Sequence, residues 1–182
     1  MMSQRLSARS ICRCSVVVST GALLVLFLAR TSAMGADVTT LFQQARTTAH
    51  QLNRDAATME SYSRSKVSWQ SHGHQITRIK EHINTAGSIL SQLHAAREDS
   101  QPWHQDSIDS ITPMLKELAS NTESIINHLN ETPKLLSHPS YVQYLKSNAQ
   151  LANELSAAVG NVADYDNTKT KMEELETKLG QR

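Results

Sequence analysis

Eight histidines are spread over a chain with no cysteine after residue 14, and they are the compositional feature that points to chemistry. A neutral imidazole binds Zn, Cu or Ni, and a Zn site gathers two or three of them, with a carboxylate or water, at about 2.0–2.1 Å from the ion. Hairpins turning near Ser100 and near Lys66 set His72 level with His128, His94 level with Asp106 and close to His104, and His50 level with His82. The candidate ligands are therefore His72, His74, His128, His94 and His104, with His138 beside the densest group. Against the first pair stands direction: two helical steps turn by about 200°, so His72 and His74 share one ion only if the helix frays at Gly73. No His-Glu-x-x-His spacing is present. His72 and His104 also fall on apolar seams, where a histidine is more often a hydrogen-bonded core residue than a ligand. Protonation gives a third reading, because an imidazole titrates near pH 6.5 and acidification would charge any core that buries several.

Other chemistries are poorly represented. Met59, Met114 and Met172 read as core filler before axial ligands of a non-covalently held haem. A covalent haem is excluded by the lack of Cys-x-x-Cys-His. The chain shows no Gly-rich phosphate loop, nucleophile elbow or carboxylate pair in an apolar setting, which argues against an enzyme. Asp106 and Asp109 suit the positive end of a helix. Trp69 and Trp103 are expected to plug opposite ends of the fold. Asn130-Glu131-Thr132 matches a glycosylation acceptor, relevant only in a eukaryotic host.

The elements that must position these residues follow a change of character near Gly35. Arg5, Arg9 and Arg13 precede an uncharged stretch from Val16 to Ala29, and small residues follow at Ser32, Ala33, Gly35 and Ala36. This order is that of a cleavable signal peptide over residues 1–35. The apolar run falls short of the roughly 20 residues a spanning helix needs, so no permanent membrane anchor remains once it is removed. Cys12 and Cys14 would leave with it. So would Arg5, Arg9, Arg13 and Arg30, leaving fourteen basic against seventeen acidic residues, a net charge of −3 with neutral histidine. A mildly acidic chain without basic blocks argues against nucleic acid as a partner.

From Ala36 to Arg182, low Gly and Pro content and apolar spacing of three and four residues predict an all-α protein, an antiparallel four-helix bundle of long amphipathic helices in one domain. The expected helices cover about 38–64, 68–98, 101–130 and 139–180. The second seam runs Trp69, His72, Ile76, Ile79, Ile83, Ala86, Leu90, Leu93, and the third Ile108, Ile111, Leu115, Leu118, Thr122, Ile125, Leu129. The first is weaker, with Leu41, Ala45, Thr48, Leu52, Met59 and Tyr62, and Asp55 on the stripe. The last carries Tyr141, Tyr144, Leu145, Leu151, Leu155, Ala158, Val162 and Tyr165, then Met172, Leu175 and Leu179 after a polar interval where a bend or fray is plausible. Ser61 to Ser68 fits a turn, though the seam keeps its phase there. Pro113 is expected to kink the third helix.

The layout resembles small exported helical bundles of bacterial envelopes in architecture alone, and architecture does not fix function. The leading expectation is an exported, non-catalytic protein of the periplasm or extracellular space, meeting a protein partner or itself through a helix face or coiled-coil contact. The alternatives are a Zn, Cu or Ni-binding or pH-responsive bundle and, third, a haem-binding one.

Overall fold

The computed structural model describes residues 37–180, so the signal peptide expected over residues 1–35 lies outside the described residues. Four helices follow one another: α1 (Val38–Ser61), α2 (Trp69–Ala95), α3 (Pro102–Glu131) and α4 (Pro139–Gly180). A short 3₁₀ turn, Tyr62–Arg64, follows α1. There is no strand among the described residues. No described helix is long and apolar enough to cross a membrane.

Local chemistry sets the helix ends. The serine-rich first connection is a turn rather than continuous helix: Ser65 is extended, and Ser68 caps α2 by accepting a hydrogen bond from the Ser71 amide at 3.3 Å. Pro102 opens α3, where its missing N–H leaves no hydrogen bond unmade. Helix α3 continues through Pro113, whose side chain is exposed.

The helices pack in a ring, each against the two next to it: α1 on α2 and α4, α3 on α2 and α4. Cross-helix contacts fix the directions. Gln43 meets Ala163, His50 meets Ser156 and Asn53 meets Asn153, so α4 retreats as α1 advances. His94 meets Thr112 while Arg97 meets Asp109, and Asn148 meets Thr122 while Asp166 meets His104. Neighbouring helices therefore run in opposite directions.

A continuous core of Leu41, Phe42, Leu52, Met59, Ile79, Leu93, Ile108, Leu118, Ile125, Tyr141 and Leu145 fills the ring. All seven residues of the α3 seam are buried. Helix α2 departs from its expected stripe, burying Ile89 while Leu90 is only half buried. Helix α4 departs further. After Leu145 it turns Asn148, Ala152, Ser156, Val159 and Ala163 inward, and Leu151, Ala158 and Val162 sit at the margin. Beside the inward residues a cavity of about 20 Å³ is lined by Ala45, Ala49, Ala86 and Leu155 among others. Trp69 does not plug its end of the ring: it is 48% exposed.

Candidate functional site

The polar interval of α4, Asp164 to Asn167, is uninterrupted helix and holds the most enclosed carboxylate among the described residues, that of Asp166. The Asp166 carboxylate is buried and accepts from His104 Nε2 at 2.9 Å to each oxygen and from Trp103 Nε1 at 3.2 Å. A carboxylate only accepts, so Nε2 of His104 carries the proton. Phe42 stacks on the His104 ring with centroids 5.2 Å apart. Trp103 meets Tyr165 edge-on at 5.3 Å, with Lys169 Nζ 5.7 Å above its indole. The buried Nδ1 of His104 has no hydrogen-bond partner. These contacts tie both α4 and α1 to α3 near one end of the ring. Outside them lies a recess of about 330 Å³ lined by Asp37, Asp99, Trp103, Lys169 and Glu173.

Past Asp166, Gln43 still reaches Asn167 at 3.2 Å and Lys169 still lies over Trp103, and only then does α4 outrun the other described helices. Val38 opens α1 about one turn past the level where Gln43 meets Ala163 and Asn167, and Pro102 opens α3 just before His104, so among the described residues neither helix runs alongside the turns of α4 beyond about residue 170. Residues 171–180 add about 15 Å of helix at 1.5 Å per residue. Their apolar side chains are open to solvent, Met172 at 57%, Leu175 at 58% and Leu179 at 69%. Direction is as informative as exposure. At about 100° per residue, Met172, Leu175 and Leu179 cluster about 180° around the axis from the face that Leu155, Val159 and Asp166 turn into the ring. The residues that continue the inward face are Thr170, Glu173 and Thr177, all polar and exposed. The stripe is thus a second, outward surface and no extension of the core seam.

The opposite end of the ring gathers the other aromatic groups. His72 Nδ1 lies 2.7 Å from the Tyr141 hydroxyl, and Tyr62 meets the His72 ring edge-on at 5.2 Å. Burial lowers the pKa of His72 and raises that of Tyr141, which favours the neutral form of each, and one hydrogen bond joins the hydroxyl and Nδ1. His128 stacks on Tyr141 at 4.6 Å from the other side, and His138 lies 6.0 Å from His128. His128 and His138 open onto a recess of about 480 Å³ together with Glu131, Thr132 and Tyr144.

The five candidate ligands are divided among separate places. His72 and His128 reach Tyr141 from two directions, with the phenol ring as their common contact. His74 is on the exposed side of α2. His94 pairs with Thr112 at 3.0 Å and His104 with Asp166. His82 joins Arg78 on the buried Asp55, at 3.1 and 2.9 Å, and Gln75 donates to the Asp55 carbonyl. Among the described residues no group of three or more His, Cys, Asp or Glu side chains converges on one point. The one sign of Asp166 in the sequence is an acid in the last helix with aromatic residues, Trp103 and His104, at the start of the helix before it.

Fold and site together define a class: an all-helical bundle, riveted at both ends by histidine and aromatic contacts, from which one helix projects. No family model, curated protein or solved structure matches the chain.

Proposed function

We propose that this is an exported, non-catalytic bundle whose working part is the projecting half of α4, a helix face that docks a protein partner or a second copy of the chain. One observation carries the reading. Three large apolar side chains at three- and four-residue spacing stand in water on the side of α4 that faces away from its own core. Exposed apolar residues scattered singly need no explanation, but a periodic stripe on an unaccompanied helix matches the knob positions of a coiled coil. The export assignment rests on the order of charged, apolar and small residues in 1–36. The antiparallel four-helix ring serves as the scaffold, and the periplasm or extracellular space is where it works.

The test is the size of the assembly recovered from the export compartment, compared between the native chain and a Met172→Lys/Leu175→Lys/Leu179→Lys variant. The native chain is expected in an assembly and the variant as a monomer with unchanged helical content and melting temperature. A native chain recovered as a monomer, or an assembly indifferent to the three lysines, contradicts the reading.

A second reading has one observation of its own. The His128 and His138 rings lie 6.0 Å apart at a recess that Glu131 also lines, a spacing within which two imidazoles can approach one Zn, Cu or Ni ion. Calorimetric titration with Zn²⁺ tests it. Stoichiometric binding weakened at least tenfold by His128→Gln supports the site, and heat unchanged by that substitution removes it.

A further inference from the structure

The outward stripe of α4 has a register, and its flanking charges select an occupant. Tyr165, Thr168, Met172, Leu175 and Leu179 follow one another at alternating intervals of three and four residues, and all five are exposed. This is the repeat of a two-stranded coiled coil, with Tyr165, Met172 and Leu179 at the first core position of each heptad and Thr168 and Leu175 at the second. The residues flanking that seam are Asp164, Lys171 and Lys178 on one side and Lys169 and Glu176 on the other.

We propose that the partner is a second copy of this chain, paired in parallel through residues 165–180 of α4, a proposal that rests on the docking reading above. In a parallel pair each residue before a first core position lies beside the residue five further along the other helix. Lys171 then faces Glu176 of the partner subunit, and two-fold symmetry makes this contact twice. Asp164 likewise faces Lys169 of the partner subunit. Reversing one helix brings Lys171 against Lys178 of the partner subunit and Lys169 against Glu176 of the partner subunit, each twice, so its like-charge and opposite-charge contacts offset one another, whereas every flanking contact of the parallel pair joins opposite charges. Within its own chain Asp164 is paired with Arg46 at 2.7 Å and Lys169 with Glu173. Lys171 and Glu176 have no ion-pair partner among the described residues, so they are the pair free to report on the second copy.

Two heptads bury little, so association is measured by sedimentation equilibrium up to a concentration on the order of 100 µM. Lys171→Glu alone and Glu176→Lys alone are each expected to weaken dimerisation at least tenfold, and the double variant K171E/E176K to restore it. Direction is read separately by Leu179→Cys in a Cys12→Ser/Cys14→Ser background. In a parallel pair the two thiols meet in one core layer and oxidise to a disulfide-linked dimer, whereas in an antiparallel pair they lie about 16 Å apart. A double variant that stays dissociated, or a Leu179→Cys chain that remains unlinked while the three-lysine variant still loses its assembly, overturns parallel self-pairing and leaves the docking surface intact. A chain that is monomeric alone yet assembled in its export compartment assigns the surface to a different protein. An assembly indifferent to the three lysines overturns both readings.

Discussion

The two halves of α4 belong to one unbroken helix and obey opposite rules. From Tyr141 to Asp166 its inward face sets Asn148, Ala152, Ser156 and Ala163, small or polar residues that are nevertheless buried, among Tyr141, Leu145, Leu155 and Val159. From Asn167 onward it carries Met172, Leu175 and Leu179, large apolar residues that are nevertheless exposed. The contrast shows that side-chain hydrophobicity alone does not decide burial here; what lies alongside does. Where α1 and α3 are present, even Ala152, Ser156 and Ala163 are buried. Where they end, apolar area accumulates on the opposite side of the helix, available for another molecule. Stability and association are therefore housed in separate stretches of one element.

The sharpest way to break this contrast is a matched pair of truncations. Leu145→Ala removes a fully buried side chain and is expected to cost about 2–5 kcal/mol in a urea titration, because the cavity it leaves only partly collapses. Leu175→Ala in the projecting half is expected to change monomer stability by less than about 0.5 kcal/mol. Equal losses at the two positions would mean that the projecting half is covered by its own chain.

Next in size is the boundary itself. Asp166→Ala strips the acceptor from His104 Nε2 and Trp103 Nε1 while both remain enclosed, and about 3 kcal/mol of stability should be lost. A smaller, pH-dependent effect distinguishes the far end. Burial lowers the pKa of His72 in the folded protein, so the unfolded chain takes up a proton that the folded chain resists. The unfolded state then binds more protons, and stability falls as pH drops below about 6.5. Between about pH 7.5 and about pH 5.5 the native chain should lose more stability than His72→Asn; parallel curves would show that His72 contributes nothing to the slope. The smallest expected effect is a gain. A methyl group at Gly160 meets no atom within 4 Å, so Gly160→Ala should raise stability by about 0.5–1 kcal/mol through helix propensity alone.

The sequence made some of this plain and hid the rest for physical reasons. Strong contrast between Ile or Leu and charged residues located the α3 face, and all seven of its expected core residues are buried. In α4, Ala, Ser and Asn offer little contrast, so the apolar count favoured Leu151 and Val162 although the helix rolls to bury Ala152 and Ala163. Hairpin counting put His72 and His128 on one level, and both touch Tyr141. Counting along a helix gives height without azimuth, however, and so it grouped His94 and His104, whose hydrogen bonds go to Thr112 and Asp166 respectively. Asp166 looked like a break in the seam because its acceptors' partners, His104 and Trp103, are 62 and 63 residues away. Met172, Leu175 and Leu179 were visible as apolar residues, but their function as an outward stripe depends on where α1 and α3 stop.

The central claim is that one half of α4 is ordered by its own core and the other by a second copy. Amide hydrogen exchange at low and high protein concentration tests it most directly, since exchange reports local opening segment by segment. The amides of residues 145–166 should be protected equally at both concentrations, and those of 171–180 should exchange fast in the dilute sample and slow in the concentrated one. Concentration-independent exchange across 171–180 would contradict the account.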